Sequence, residues 1–311
     1  MNTKINVTMN TTMRIILAFI MICGMIGVSE FLNEPEIIFP EIAAIVVGSF
    51  IAPHFSWNTS KIRIFVSIAI CAVLGVLIVY FLPGYLWFQI TIAYFLGQCV
   101  YILMRTTFVP MISAIVLPVL LQTKNLIYIA SALILTVLIL LIRILIEKCG
   151  MVEKQTYEKP EMWTVEDLGL MLVRVACVGI FSLAAVSMHW KFMVAPPLLV
   201  AFTGFCNPMN PMRKKPVNTV LQITICALVG AVCRWGLTIQ LGLPLALAAA
   251  VSLAIVLVMM MASHTYIPPA GAMMALAMLI PEAMVISYPL QVLIGVTVIM
   301  AVSIVLFAKS E

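Results

Sequence analysis

Between Met13 and Phe307 the chain is a succession of apolar runs separated by short polar or proline-bearing breaks, and several runs reach the ~20 residues a helix needs to cross a bilayer. That pattern excludes most architectures. Backbone buried in hydrocarbon must satisfy its own hydrogen bonds, and apolar runs of this length without strict alternation leave helices as the solution. Composition agrees: 64% of the 311 residues are hydrophobic, 9% are charged, and mean hydropathy is +1.19. The expected class is an all-α polytopic membrane protein.

The runs fall into two sets of about six. The first set is Met13 to Phe31, Ile37 to Ala52, a long span ending at Leu82, Leu86 to Met104, Phe108 to Leu121 and Leu126 to Ile146. The second is Leu168 to Met188, Phe192 to Phe205, Val217 to Ile239, Leu243 to Ala262, a run ending at Ile280, and Val285 to Phe307. Between them the charges Glu153, Lys154, Glu158, Lys159, Glu161, Glu166 and Asp167 read as a wet, solvated linker. The expected division is therefore a first membrane repeat over 1-147, a polar linker over 148-167 and a second membrane repeat over 168-311.

Residue-by-residue likeness supports the repeat. Ala69-Ile70-Cys71-Ala72-Val73-Leu74-Gly75 parallels Thr224-Ile225-Cys226-Ala227-Leu228-Val229-Gly230, a shift of 230 − 75 = 155 that Pro53 and Pro208 share. Thr107-Phe108-Val109-Pro110 parallels Thr265-Tyr266-Ile267-Pro268 with a shift of 268 − 110 = 158. With six crossings per half the repeats are parallel; if one short segment is re-entrant they become inverted.

Orientation rests on basic residues. With the N-terminus in the cytoplasm, Arg63, Arg105, Lys148, the Arg213-Lys214-Lys215 loop and Lys309 all fall inside, against Lys124 and Lys191 outside. Both termini of a multi-pass protein of a cell or inner membrane are then cytoplasmic. The first run has the look of a signal peptide, but no small-x-small cleavage site stands clearly behind it, and a retained span is expected. Trp87, Trp163, Trp190 and Trp235 lie mostly at segment ends, as interfacial anchors do.

The most informative break is Ser263-His264-Thr265-Tyr266-Ile267-Pro268-Pro269-Ala270-Gly271-Ala272. Two prolines remove two donors, and non-helical backbone at membrane depth is tolerated only against protein or a water-filled cavity. Ile267-Pro268-Pro269-Ala270-Gly271-Ala272 resembles the His-Pro-Pro-Ala-Gly-Ala motif of the HPP family of integral membrane proteins, and Pro208, Pro216, Asn218 and the Gly230 region resemble its proline-, asparagine- and glycine-marked loop and helix. The first half looks like a diverged copy in which Val109-Pro110-Met111 keeps one proline. The resemblance implies a membrane fold with proline-broken segments and, for some members, nitrite transport. Ile267 stands where the motif has histidine, and His264 lies three residues earlier.

Pro40, Pro110, Pro118, Pro196-Pro197 and Pro268-Pro269 recur in the shortest segments of both halves, the pattern that points to a midplane transport site. Ionisable residues in or beside those segments are the candidates for binding. Glu41, after Pro40, would serve as a proton or cation site, or simply as a first-turn helix acid. Arg105 and His264 precede matching broken segments and would together neutralise an anion, or serve as a topology anchor and a core histidine. Arg234 lies deep in its span, within reach of Glu41 or Glu282. With Pro110, Pro268, Pro269 and Gly271, these complete the expected substrate-binding set.

No catalytic constellation, nucleotide-binding loop or cofactor motif appears, so neither an enzyme nor an ATP-driven pump is expected. The eight cysteines lack C-x-x-C spacing and read as small buried hydrophobes. Cys206-Asn207-Pro208-Met209-Asn210-Pro211-Met212 gathers soft donors suited to Cu(I), but no second cluster completes a coordination sphere. The expected function is secondary or passive transport of a small solute, most plausibly an anion, with the lipid bilayer and a small-molecule or ion substrate as partners, no nucleic acid, and room for a homo-oligomer. The alternatives are a non-transporting scaffold or partner subunit and, behind it, a membrane-embedded enzyme.

Overall fold

The computed structural model describes residues 2–160 and 164–308, which form helices and connecting segments with no strand among them. Glu161, Trp163 and Lys309 lie outside the described residues. The first half contains α1 (Asn2–Leu32), a short α2 (Glu41–Val46) continued by a π-helical turn at Val47–Ile51, α3 (Lys61–Phe81), α4 (Leu86–Leu103), a short α5 (Met111–Leu121) and α6 (Leu126–Lys148). The second contains α7 (Val165–Ser187), a short α8 (Pro196–Phe205), the single turn α9 (Pro211–Lys214), α10 (Pro216–Cys233) with a π-helical extension at Arg234–Gln240, α11 (Leu245–Ala262), a short α12 (Pro268–Leu276) and α13 (Tyr288–Leu306). Eight of these helices are long and apolar enough to cross a membrane: α1, α3, α4, α6, α7, α10, α11 and α13.

Of the other five, α9 is a single turn and α2, α5, α8 and α12 are half-helices. At ~1.5 Å per residue the 11 residues of α5 rise about 16 Å, half of a ~30 Å hydrocarbon core. Polar contacts at their ends show where each begins and stops. On one face, which carries most of the basic residues, Arg14 of α1 donates to the carbonyls of Phe50, Ile51 and Ala52, Arg63 Nε to Met104 O at 3.1 Å, Lys61 meets Glu147 at 2.7 Å, and Arg213 Nη1 donates to Phe307 O at 2.8 Å. On the opposite face Glu30 accepts from the backbone N–H groups of Leu245 and Ala246, Gln122 donates to Gln89 at 2.8 Å, and Lys191 Nζ to Leu120 O at 3.2 Å. Each short segment thus runs from one face to the other, part extended and part helical. Both halves start and finish on the basic face, and their equivalent elements run in the same direction.

Packing follows the same plan twice. α3 lies on α5 and α6 as α10 lies on α12 and α13; α4 crosses to α7 as α11 crosses to α1; α2 packs on α12 as α8 packs on α5. Each of these pairings has a counterpart in the other half. Two glycines permit it: a Cβ on Gly75 would sit 2.5 Å from Ile115 O, and one on Gly230 2.6 Å from Met274 O, so each lets a half-helix backbone touch its neighbour. Two fully buried tyrosines do matching work. Tyr128 donates to Ala114 O and Tyr288 to Met273 O, both at 2.8 Å, and each ring meets a phenylalanine edge-on, Phe39 at 6.0 Å and Phe192 at 5.7 Å. In α5 the physical reason is plain: Pro118 has no N–H for the carbonyl four residues back, and the Tyr128 hydroxyl supplies the missing donor.

The linker expected to be merely wet is in part a strap. Gln155 Nε2 donates to Thr59 O at 2.6 Å, Tyr157 OH to Arg105 O at 2.8 Å, and Asn58 and Glu158 exchange two hydrogen bonds across the basic face of the first half. Its backbone donors and carbonyls, more than its charges, hold it there, which is why charge patterning missed it.

Candidate functional site

The four half-helices meet around a cavity of ≈ 430 Å³ at the basic face. Pro110 at the start of α5 and Pro268 and Pro269 at the start of α12 line it, together with Thr203 and Gly204 near the end of α8 and Ala44 of α2. Loop residues Trp57, Asn207 and Asn210 complete the wall, and no lining side chain is charged.

The electrostatics come from helix ends. The last carbonyls of a helix lack partners and carry partial negative charge. Every half-helix here has those carbonyls covered by a cationic side chain. Arg14 covers Phe50, Ile51 and Ala52, and Arg143 covers Ser49, at the end of the α2 segment. Arg213 covers Phe205 at the end of α8 at 3.3 Å, with Asn210 Nδ2 on Gly204 O at 2.9 Å. On the opposite face Lys191 covers Leu120 of α5, and Arg234 covers Ala277 and Ile280, at 2.8 and 2.5 Å, beyond α12. The negative ends are neutralised, while the positive ends of α5 and α12 face the cavity.

Thr203 anchors a buried polar cluster on the wall. Its hydroxyl donates to Leu199 O at 3.0 Å, lies 2.7 Å from Tyr94 OH and accepts from Gln98 Nε2 at 3.0 Å. Gln98 Oε1 is buried without a hydrogen-bond partner. Arg174 on α7 is also buried and gives its Nε to Leu170 O one turn earlier, at 3.3 Å.

Three of the sequence-predicted site residues, Pro110, Pro268 and Pro269, come together in this cavity. Gly271 does not line it; it faces α2, where a Cβ would lie 2.9 Å from Val47 Cγ2 and 3.2 Å from Ala43 O, so its service is close packing. Glu41 is buried one turn behind Ala44. Arg105 and His264, expected to grip an anion together, are the residues that end α4 and α11, with φ of 45° and 50°. That left-handed turn takes both side chains away from the cavity: Arg105 lines a surface hollow with Arg63 and Lys159, and His264 is exposed. Arg234 pairs with neither Glu41 nor Glu282 through a hydrogen bond; its guanidinium is occupied by the two carbonyls. Sequence reasoning passed over Arg14, Arg143, Arg213 and Thr203, though a cation within an apolar run, as at Arg143, is a signal in itself.

Asn207, Met209, Asn210 and Met212 of the soft-donor loop line the cavity as well, while Cys206 is buried. Among the described residues no group of three or more His, Cys, Asp or Glu could hold a metal ion. The fold and these helix ends define a polytopic α-helical membrane protein with half-helices around a central cavity. Comparison with protein-family models, curated proteins and solved structures finds no match for the chain.

Proposed function

We propose that the protein is a secondary or passive transporter of a small anion, that its halves are diverged copies of one unit of the HPP type, and that both termini lie in the cytoplasm. The observation that carries the anion reading is the asymmetry of helix ends. All four carbonyl ends are covered by Arg14, Arg143, Arg213, Lys191 or Arg234, and the N-terminal ends of α5 and α12, the positive ends of their dipoles, face an uncharged cavity of ≈ 430 Å³. A cation entering there meets no carboxylate; an anion meets two helix dipoles and the side-chain amides of Asn207 and Asn210. The cytoplasmic placement rests on the basic face, which holds Arg63, Arg105, Lys148 and the Arg213-Lys214-Lys215 loop.

Nitrite is the first anion to test, by the resemblance of the Ile267 to Ala272 stretch. Purified protein in phosphatidylcholine–phosphatidylglycerol vesicles should accumulate nitrite or a similar small anion faster than protein-free vesicles. Thr203→Val should slow that uptake with the fold retained, as should Asn207→Asp, which still accepts from Met209 N–H and sets a negative charge on the wall. Selective uptake of an inorganic cation would overturn the anion assignment, and normal folding and ligand-free behaviour with no flux at all would favour a scaffold.

A further inference from the structure

Glu41 is 1% exposed, and its Oε2 has no hydrogen-bond partner. The buried hydroxyl of Ser113 on α5 lies beside the carboxyl as its nearest hydrogen-bonding side chain and is engaged by no other group. No cation compensates the group. Among the elements around α2, α12 and α5 carry no titratable side chain; α6 brings Tyr128, whose hydroxyl is given to Ala114 O, and at its far end Arg143, Glu147 and Lys148, of which Arg143 is occupied by Ser49 O and Glu147. α1 brings Cys23, Arg14 and Glu30, of which Arg14 is occupied at the far end of the segment and Glu30 by α11. An ionised carboxylate in such a place costs several kcal/mol of desolvation, so burial favours the neutral acid and the arrival of water favours the ionised one.

Its position supplies that access. Ala44, three residues on and on the same helix face, lines the cavity at the basic face; Ile38, three residues back, and Tyr128 line a second cavity of ≈ 170 Å³ toward the opposite face. Glu41 itself lines neither. The fold does not require a carboxyl here, because the equivalent position of the second half, 41 + 155 = 196, is Pro196, and α8 starts there without an acid.

We propose that Glu41 is a proton-binding site at the closed point between the two cavities, loaded from one and unloaded to the other. The proton leaves hydronium at one face, bonds to a carboxylate oxygen, and returns to water at the other. A hard cation such as Ca²⁺ takes about six to eight oxygens, and among the described residues Ser113 is the side chain set beside the carboxyl as a hydrogen-bonding partner, so the donors suit a proton and not such a cation. Coupling this proton to an anion rests on the transport reading above.

The test uses full-length protein and Glu41→Gln, near in shape to the neutral acid, in phosphatidylcholine–phosphatidylglycerol vesicles. Infrared difference spectra of the wild type should hold a protonated-carboxyl band at neutral pH, where an ordinary glutamate of pKa about 4.3 is ionised, and Glu41→Gln should lack it. Identical spectra would overturn the site. An inward gradient of about one pH unit should raise wild-type nitrite accumulation about tenfold for one proton per anion, and leave Glu41→Gln unmoved. Anion flux indifferent to both the gradient and the substitution would remove the coupling and leave transport standing. No anion flux above protein-free vesicles would remove transport, while the infrared band still decides the proton site.

Discussion

The two halves end differently at the basic face. In the first, a Cβ on Gly48 would lie 2.3 Å from the indole of Trp57, which packs edge-on against Phe55 and Phe108, and Arg143, Glu147 and Lys61 with the strap over them close the end. In the second, the position equivalent to Gly48, 48 + 155 = 203, is Thr203, and its hydroxyl cluster stands on an open cavity wall. Both ends border the cavity, which Ala44, Trp57 and Pro110 of the first half also line, but the strap and the ion pair seal the outer side of the first end and leave the second open.

The largest test of that difference is the ion pair that seals the first end. Arg143 is buried, donates to Glu147 Oε1 and Glu153 O at 2.8 Å each and to Ser49 O, so Arg143→Ala removes three charge-assisted hydrogen bonds and uncovers a helix end while Lys61 stays on Glu147; at roughly 1.5 kcal/mol for each bond we expect about 3–5 kcal/mol lost in detergent unfolding. Arg213→Ala, the matching removal at the open end, should cost about 1–3 kcal/mol, the range for hydrogen bonds to a charged group. Equal losses would mean that the two ends are sealed alike.

Next in size is a test of what the halves share. Gly75→Ala and Gly230→Ala each push a methyl into a neighbouring backbone carbonyl, and each should destabilise by about 1–3 kcal/mol, by similar amounts. A neutral Gly230→Ala beside a damaging Gly75→Ala would break the packing equivalence.

These glycines also show how far the sequence could be read. The Ala69-to-Gly75 and Thr224-to-Gly230 likeness, read only as a sign of a repeat, marks two stretches that the structure packs against half-helices, and the short proline-broken runs located the half-helices themselves, because both are properties of the chain's local pattern. What was illegible is long-range: Arg14, Arg213 and Lys191 reach carbonyls far away in sequence, and no local rule says which helix end a cation will cover. Arg105 and His264 mislead for the opposite reason. Their proximity to the broken segments is real, but a single left-handed residue at a helix end sets a side chain's direction, and that is a backbone property a lone sequence does not display.

A smaller effect is expected from opening the sealed end without breaking its ion pair. In Gly48→Ala the methyl occupies the indole's place, and because the indole is a side chain it can swing out; we expect about 1–2 kcal/mol lost, the lower part of the overpacking range. Trp57 emission, taken as the difference from Trp57→Phe, should shift to the red. Unchanged emission would show that the indole does not depend on the glycine.

The smallest effect concerns the strap. Tyr157 OH donates to Arg105 O at 2.8 Å and its ring lies 4.0 Å beneath the Arg63 guanidinium, so one residue ties the connection between the halves to the ends of α3 and α4. Tyr157→Phe keeps the ring and its cation–π contact and removes only the hydrogen bond, for which about 0.5–1.5 kcal/mol is expected. The loss should be local: hydrogen exchange should quicken around residues 153–158 and at Thr107, whose N–H is given to Asn58 O, while α10 to α13 stay unchanged. If exchange quickened equally in the second half, the strap would be holding both ends together, and the division into one sealed and one open end would fail.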